Sequence, residues 1–470
     1  MPDPKPTHAE LTARADAAVA AVAPGAARDP HRLAYHFMAP AGWMNDPNGL
    51  IYWRGVYHVF YQHNPYKPHW GAMHWGHAVS RDLIHYEHLP VALAPRESYE
   101  DWGGCYSGSA VDDDGTLTLI YTGAANGPIQ TQCIATSADG LTFEKCAVNP
   151  VIPAPPAQGN PADFRDPKVW RHDDAWWMAV GSRDGERGNV LLHRSDDLRA
   201  WEFVAVVFQS DGTQGGPWEC PDLFPLGDRY ALVISPCGVE PRKSVTMVGD
   251  FDYATGLFTP ERQTDTEYGP GFYAPQSFVD ERGRRVMFGW MTATWGTSPT
   301  RDYGWDGALT LPRLVTAGPD GLPRFNPLPE LQTLRAEHLA PDRIEGNRLE
   351  IVAEFEVARG AECGLSVLRS ADGAQETRIL YDEASRRLTL NWEHSGAVES
   401  GQRSAPMHIA PGERLALQVF VDRSSVEVFA GDGVAVLSAR VFPDPRSQGV
   451  AVLGRARLIS LGAWKLASIW

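Results

Sequence analysis

Three segments of this chain resemble one another and recur at a nearly constant interval, which restricts the folds available to it. They begin at Ser80, Ser137 and Ser195, at intervals of 57 and 58 residues. Each segment reads as a strand end, a turn centred on an aspartate, and an aromatic residue that opens the next strand. A weaker copy begins at Gly249. Such recurrence predicts a β-propeller built from four-stranded sheets, although chance similarity among Ser-x-Asp turns is the alternative.

In a propeller, the first strand of each repeat lines a central channel. The positions that fall on this strand, about 30 residues before each turn, are Asp46, Ser107, Asp166 and Glu219, with Tyr273 in a fifth repeat. Five repeats fill the chain to about residue 335. The sequence therefore predicts an all-β catalytic domain, a five-bladed β-propeller. Three of its acidic residues would converge on one axis.

Asp46 lies in a segment that holds the backbone stiffly. Pro47 presets its own φ and pushes Asp46 toward an extended conformation, and Gly49 can adopt the positive φ that other residues avoid. Strand residues follow immediately. A carboxylate held in this way suits an attacking group, and an Asx-turn in which Asp46 only binds its own backbone explains the segment equally well.

The segments around Asp166 and Glu219 suggest complementary acid chemistry. Arg165 could offer a two-pronged hydrogen bond to a substrate hydroxyl or to a neighbouring carboxylate. Glu219 stands between Trp218 and Cys220, and an apolar wall would raise its pKa and favour a proton donor. Glycoside hydrolysis needs one ionised nucleophile and one protonated carboxyl group. Taken singly, each segment is also compatible with a structural ion pair.

Several sequence blocks resemble those of glycoside hydrolase family 32, the β-fructofuranosidases. The three hallmark blocks are WMNDPNG at 43–49, RDP at 165–167 and WECPD at 218–222. Supporting blocks lie at 60–65, 106–109, 272–276, 307–313 and 421–429. The resemblance runs from about residue 35 to the C-terminus. It implies a five-bladed β-propeller followed by an antiparallel β-sandwich.

The resemblance also implies a retaining mechanism with a covalent fructosyl-enzyme intermediate. Asp46 would be the nucleophile, Glu219 the acid and base, and Asp166 the group that stabilises the transition state. The residues that fall where the family contacts substrate are Asn45, Gln62, Trp70, Tyr106, Ser107, Arg165, Tyr273 and Trp290. Both tryptophans could instead pack the channel. Expected substrates are sucrose, sucrose 6-phosphate or short fructo-oligosaccharides. A fructosyltransferase and a non-catalytic fructan-binding protein are the alternatives.

One position departs from the family pattern. The family often has an aspartate immediately before the Phe-Tyr-Ala block, whereas this chain has Gly271 there, with Glu267 four residues earlier. The change removes a possible hydrogen-bonding carboxylate near the leaving group. It therefore bears on substrate preference and leaves the fructosyl chemistry unaffected.

The 470 residues favour more than one domain, and the pattern changes along the chain. A capping-box pair, Thr7 and Glu10, predicts a short N-terminal helix within residues 1–32. Residues 33–338 would form the propeller. Alternating strands separated by polar turns predict a β-sandwich over 339–470. Its role would be to stabilise the propeller, or to bind carbohydrate or a second subunit.

Charge and cysteine content narrow the partners. The net charge of −16 disfavours nucleic acid and anionic membranes and favours a neutral or weakly charged small substrate, which the family resemblance implies is a sugar. The six cysteines form no CxxC pair, which favours reduced thiols and a cytoplasmic protein. His69, His74 and His77 have no paired acidic ligands nearby in sequence, so neither a metal nor a cofactor is expected. The sequence does not specify an oligomeric state.

Overall fold

The structure is a computed structural model that describes residues 5–239, 244–292, 298–396 and 400–470. Helix α1, His8–Ala26, begins with the predicted capping box. The Glu10 backbone N–H donates to Thr7 Oγ1 at 3.2 Å, and the Thr7 N–H donates to the Glu10 carboxylate at 2.7 Å. The helix packs against an outer strand of the first sheet. Within the described ranges, no helix is long and apolar enough to span a membrane.

Strands dominate the N-terminal part of the chain. In chain order they are β1 Gly42–Trp53, β2 Val56–Asn64, β3 His74–Ser80, β4 Tyr86–Leu93, β5 Gly104–Asp113, β6 Thr116–Ala125, β7 Ile129–Ser137, β8 Glu144–Lys145, β9 Phe164–His172, β10 Ala175–Asp184, β11 Arg187–Ser195, β12 Glu202–Gln209, β13 Trp218–Leu226, β14 Arg229–Pro236, β15 Val245–Asp252, β16 Leu257–Asp265, β17 Tyr273–Val279, β18 Arg285–Met291, β19 Trp305–Asp306, β20 Ala308–Leu309, β21 Arg313–Ala317 and β22 Pro323–Pro327. Short 3-10 helices span Ser98–Glu100, Pro299–Tyr303 and Pro329–Leu334.

These strands form sequential antiparallel sheets whose first strands contact one another in a cycle. The sheets are β1–β4, β5–β8, β9–β12, β13–β16, and β17, β18, β21 and β22 with β20. Strand β1 contacts β5, β5 contacts β9, β9 contacts β13, β13 contacts β17, and β17 contacts β1. The short strand β19 adds to the first sheet by pairing in parallel with β1. A late segment thus joins the first sheet of the ring.

The repeated turns occupy equivalent places in successive sheets. Ser80, Ser137 and Ser195 each end the third strand of a sheet, and each donates its hydroxyl hydrogen to the aspartate two residues on, at 3.1, 2.9 and 3.2 Å. The periodicity read from the sequence is therefore real. The weaker copy differs in detail, because Gly249 lies inside β15 and the turn begins only at Tyr253.

The C-terminal part forms two further antiparallel sheets. Their strands are β23 Arg335–Leu339, β24 Arg348–Glu356, β25 Glu362–Arg369, β26 Glu376–Asp382, β27 Arg387–His394, β28 Gln402–Pro406, β29 Arg414–Asp422, β30 Ser425–Ala430, β31 Ala435–Arg440, β32 Gly449–Gly454 and β33 Arg457–Leu466. One sheet has the order β23-β33-β24-β29-β30-β31, and the other has β28-β27-β26-β25-β32. Inward-facing residues of both sheets share one hydrophobic core, as in a β-sandwich.

A buried polar network joins the two parts. The His36 ring contacts Asp422 at 2.8 Å and Glu427 at 3.0 Å, and all three side chains are fully buried. Arg313, on the ring side, pairs with Glu427 at 2.7 Å. Because these groups are removed from water, each of them remains ionised only while it is paired with its partners.

Candidate active site

The first strand of each sheet in the ring is interrupted near the same level. The regular pairing register shifts at Asn45–Asp46 in β1, Ser107 in β5, Asp166–Pro167 in β9, Cys220–Pro221 in β13 and Ala274–Pro275 in β17. A β-bulge of this kind bends the strand and redirects its side chains. The residues predicted to line the channel therefore lie at, or directly beside, these bulges.

Local backbone conformation explains why the strands break here. Proline cannot donate to a sheet ladder, and Pro167 and Pro221 lie within the irregular stretches. The preceding residues Asp166 and Cys220 have φ of 64° and 49°, in the left-handed region that non-glycine residues seldom adopt. Such conformations cost of order 1–3 kcal/mol each and persist where the surrounding structure enforces them.

The interrupted strands surround one cavity of about 390 Å³. It is lined by all of the predicted site residues: Asn45, Asp46, Gln62, Trp70, Tyr106, Ser107, Arg165, Asp166, Glu219, Tyr273 and Trp290. Five lining residues were missed: Trp102, Pro128, Gln130, Ala162 and Asp163. The volume suits a small sugar.

Asp46 is held by hydrogen bonds from two strands. The Ser107 hydroxyl donates to its carboxylate at 2.6 Å, and the Asn45 amide donates at 3.0 Å. Asn45 is oriented in turn by the Trp43 indole N–H, at 2.8 Å. Burial, and to a smaller extent the nearby Glu219 charge, raise the pKa of Asp46 to about 6 despite these donors. Its carboxylate therefore contacts side chains of other strands, which a simple Asx-turn does not require.

Glu219 is paired with a cation. Arg165 donates to one of its oxygens from Nε at 3.1 Å and from Nη2 at 2.9 Å, and the Tyr273 hydroxyl donates to the other oxygen. Burial favours the neutral acid, but Arg165 and Tyr273 together outweigh it and lower the pKa of Glu219. The expectation of a raised pKa for Glu219 is therefore not met. Trp218 is fully buried against Gly188 and is not part of the cavity lining, so it does not provide an apolar wall beside the Glu219 carboxyl group.

Asp166 is the most deeply buried of the three carboxyl groups, at 4% exposure. It accepts the Cys220 backbone N–H at 2.9 Å, and the Cys220 thiol lies 3.5 Å away. Burial raises its pKa to about 7, and the neighbouring charges of Glu219 and Asp46 act in the same direction. The same thiol lies 3.7 Å from Asp46, so the carboxyl groups are close enough to titrate as an interacting set.

Aromatic residues form one side of the cavity mouth. Trp70 and Trp102 are 42% and 54% exposed, and their rings meet edge to face at 6.4 Å. Trp290 is only 1% exposed and packs edge-on against Trp43, so it combines packing with lining. Nothing in the sequence near Trp102 marks it as a partner of Trp70, because the two come from different loops.

Asp163 also lines the cavity. It accepts from Arg165 Nη1 at 2.8 Å and from Arg183 Nε at 2.6 Å. Gln130 accepts from the same Arg165 nitrogen at 3.2 Å. Asp163 lies two residues before Arg165, just ahead of β9, and this closeness in sequence to a predicted site residue is the feature that could have identified it.

Gly271, where the sequence departs from the family pattern, lies close to the sandwich. Its N–H donates to the Ser438 carbonyl at 2.8 Å, and an added Cβ would lie 3.0 Å from that oxygen and 3.1 Å from Ala439 Cα. A side chain here would press on β31 of the sandwich. Glu267 is buried outside the cavity lining, where it accepts from the Gly269 N–H at 2.9 Å, so it does not replace the missing aspartate.

The three histidines do not gather into one cluster. His69 contacts the Trp70 carbonyl, His74 the Ala72 carbonyl and His77 the ring of His58. In the part of the chain that the structure describes, no group of three or more potential ligands is placed to hold a metal ion.

Carboxyl groups that converge from separate strands on one sugar-sized, aromatic-edged cavity define a glycoside hydrolase. The chain belongs to glycosyl hydrolase family 32. Residues 36–322 match the family's N-terminal domain, and residues 326–465 match its C-terminal domain. With the all-β structure, these matches identify an N-terminal β-propeller followed by a C-terminal β-sandwich.

Named relatives extend the match over nearly the whole chain. A sucrose-6-phosphate hydrolase of Escherichia coli is 41% identical and aligns over 91% of this chain and 94% of its own length. A raffinose invertase of the same species is 40% identical, over 89% and 91%. A β-fructofuranosidase variant of Bombyx mori, solved in complex with sucrose, superposes with a TM-score of 0.86 at 32% identity, over 97% and 98% of the two chains.

Proposed function

We propose that the chain is a retaining β-fructofuranosidase. It releases a terminal β-D-fructofuranosyl unit from sucrose, sucrose 6-phosphate or a short fructo-oligosaccharide. The observation that carries this proposal is the meeting of Asp46, Asp166 and Glu219 at the bulges of three different strands around one cavity. The relatives named for sucrose 6-phosphate and raffinose support a sucrose-type substrate.

Asp46 acts as the nucleophile. Its carboxylate oxygen attacks the anomeric carbon of the fructosyl unit, the glycosidic bond breaks, and the leaving oxygen takes a proton from Glu219. Water then donates a proton to ionised Glu219 as its oxygen attacks the covalent intermediate, which frees fructose and restores Asp46. The Ser107 and Asn45 hydrogen bonds fix the direction of attack.

Glu219 must be protonated when the glycosidic oxygen arrives. Arg165 favours its ionised form, whereas burial favours the neutral acid. A bound sugar would remove water from the cavity and place an acceptor oxygen beside Glu219, and both effects favour protonation. Asp166 would accept hydrogen bonds from fructosyl hydroxyls that strengthen as positive charge develops on the ring.

The decisive experiment removes one acidic group at a time. Asp46→Asn and Glu219→Gln should each lower kcat on sucrose by about a thousandfold or more, since each removes a step of the mechanism. Unchanged far-ultraviolet circular dichroism and melting temperature would show that both variants fold. Wild-type turnover by either variant would refute the assigned roles.

Product analysis separates hydrolysis from its alternatives. Equimolar glucose and fructose at high sucrose concentration would support hydrolysis, whereas oligosaccharides as the main product would identify a fructosyltransferase. Retained sucrose binding without release of glucose would identify a non-catalytic binding protein.

We infer that the sheets of the ring are the five blades of a propeller. The cyclic contacts of β1, β5, β9, β13 and β17 support this inference. We place the catalytic propeller at residues 33–338, the sandwich at 339–470 and a helical extension at 1–32. We also propose a cytoplasmic location, supported by six cysteines that are all unpaired.

A further inference from the structure

The charges around the cavity are unevenly balanced. Its described lining carries four carboxyl groups, those of Asp46, Asp163, Asp166 and Glu219, against the single guanidinium of Arg165. Arg165 is committed to Glu219 on one side and to Asp163 on the other. A ligand that carries additional negative charge therefore meets no uncommitted cation among the described lining residues.

Asp163 lies where it can affect the leaving group. It lines the cavity and binds the same guanidinium as Glu219, the proposed proton donor to the leaving oxygen. Its side chain retains 14% exposure, whereas Asp166 is 4% exposed. A leaving group that takes its proton from Glu219 would therefore lie near Arg165 and Asp163, in a cavity whose lining also includes the exposed rings of Trp70 and Trp102.

The carboxylate of Asp163 is fixed in position and remains ionised. Burial favours its neutral form, but the ion pairs with Arg165 and Arg183 outweigh burial and lower its pKa. The Ser182 hydroxyl donates to the backbone carbonyl of Asp163 at 2.5 Å, which anchors the segment that carries Asp163. Arg183 lies outside the cavity lining, with a second acidic neighbour, Glu186, at 3.6 Å. Glu186 thereby partly neutralises the charge of Arg183.

Each carboxylate oxygen of Asp163 accepts one charged donor and keeps a lone pair free. That acceptor capacity suits the hydroxyl groups of a neutral sugar, while the tryptophan rings suit its apolar C–H face. A phosphate group has no donor hydrogen at neutral pH and carries about two negative charges. It would gain no hydrogen bond from Asp163 and would be repelled by it.

We propose that Asp163 makes the leaving-group side of the cavity selective for unphosphorylated sugars, so that sucrose and neutral fructo-oligosaccharides are preferred over sucrose 6-phosphate. This inference rests on the proposed fructofuranosidase function. It assigns Asp163 to specificity and leaves the bond-breaking roles with Asp46 and Glu219.

The test compares kcat/KM for sucrose and sucrose 6-phosphate in the wild-type enzyme and in Asp163→Asn. We expect the wild type to prefer sucrose by at least about tenfold, and Asp163→Asn to narrow that preference by about three- to tenfold. Because the same glycosidic bond breaks and Glu219 protonates the same leaving oxygen in both substrates, an effect of the substitution on Glu219 through Arg165 largely cancels in the ratio. Added salt should narrow the wild-type preference as well, since screening weakens charge repulsion.

Two further variants control the test. Arg183→Gln removes one of the two positive charges that pair with the Asp163 carboxylate, so it should widen the preference for sucrose over sucrose 6-phosphate. This change is opposite in sign to that expected for Asp163→Asn. Asp196→Asn removes a charge whose side chain is 77% exposed on a turn of the same sheet, outside the cavity lining, and it should leave the ratio unchanged.

The outcomes distinguish this inference from the function on which it rests. Comparable turnover of both substrates, or a preference for sucrose 6-phosphate, would overturn the role of Asp163 while the fructofuranosidase function stood. An Asp196→Asn effect equal to that of Asp163→Asn would also overturn it. Failure to hydrolyse either substrate would instead refute the proposed function.

Discussion

The guanidinium of Arg165 lies between two carboxylates, those of Glu219 and Asp163. Its positive charge favours the ionised form of Glu219, and its hydrogen bonds orient both acidic side chains. The Tyr273 hydroxyl completes the contacts of Glu219 from another strand. The favoured protonation state of Glu219 is therefore set by residues that its sequence neighbours do not reveal.

Removal of the Tyr273 hydroxyl should change the pH dependence of the reaction. This hydroxyl helps to lower the pKa of Glu219, so Tyr273→Phe should raise that pKa and keep the acid protonated to higher pH. We expect the basic limb of the kcat profile on sucrose, which reports the sugar-bound enzyme, to move upward by about half to one pH unit. Tyr106→Phe is the matched control, because that tyrosine lines the cavity without a hydrogen bond to Glu219. Superimposable basic limbs in wild type and Tyr273→Phe would contradict this role.

Sequence patterns identified the motifs at the residue scale but not all of their neighbours. Pro47 and Pro167 marked the stiff segments around Asp46 and Asp166. The surroundings of Glu219 were misjudged, since strand alternation and the left-handed φ of 49° at Cys220 direct the adjacent side chains away from its carboxyl group. Asp163 was missed as a site residue because its contacts depend on how the approach to β9 meets β10.

At the scale of secondary-structure elements, the repeated bulge is the feature that builds the site. Beyond its bulge each first strand pairs regularly with its neighbour, except that β1 has a second shift between Asn48 and Ile51. The sheet thus fixes the strand, while the bulge turns one or two side chains into the cavity. The spacing of the Ser-x-Asp turns predicted these strands correctly, because turn chemistry is local. The bulges were not predicted, since they depend on pairing with a second strand.

The bulge in β5 can be tested with a single methyl group. An added Cβ at Gly108 would lie 2.0 Å from the Ile120 carbonyl oxygen of the paired strand. Gly108→Ala should therefore lower the free energy of unfolding by about 3 kcal/mol or more and displace Ser107 from Asp46, with a fall in kcat. Urea unfolding and sucrose assays measure the two effects.

Gly115 provides the control for Gly108. It lies in the turn of the same hairpin, with φ of 90° and its nearest outside atom 3.9 Å from an added Cβ. Gly115→Ala should lose only about 1–2 kcal/mol, from backbone strain, and keep wild-type kcat. Equal losses of stability in the two variants would show that the close approach at Gly108 is unimportant.

At the scale of the whole molecule, the buried network of His36, Asp422, Glu427 and Arg313 joins the propeller to the sandwich. Burial alone would lower the pKa of His36, but the two carboxylates outweigh it and raise that pKa to about 9. At Glu427 burial alone would raise the pKa, but Arg313 and His36 outweigh burial and lower the pKa to about 2. The sequence suggested two domains but gave no sign of this junction, whose members lie far apart along the chain.

The junction predicts a stability that depends on pH. His36 has a folded pKa above its unfolded value of 6.5, so its contribution is complete below about 6.5 and is lost as the pH rises through about 9. His36→Gln should cost about 3 kcal/mol near pH 6 and very little near pH 10. Melting temperatures at pH 6, 8 and 10 measure this difference.

His85→Gln is the control for His36, because His85 pairs with Asp82 at the surface, with 53% of its side chain exposed. We expect this variant to melt like the wild type at each pH. A constant difference between His36→Gln and the wild type from pH 6 to 10 would indicate that the charge of His36 does not matter.

The parallel pairing of β19 with β1 has a consequence for biosynthesis. Gly42 and Trp43, beside the turn that holds Asp46, pair with Trp305 and Asp306, which the ribosome adds more than two hundred residues later. A nascent chain that stops before Trp305 would already contain Asp46, Asp166 and Glu219, yet β1 would lack the strand that pairs with its outer side. The first sheet to begin is therefore completed only after the strands that carry all three carboxyl groups have been synthesised.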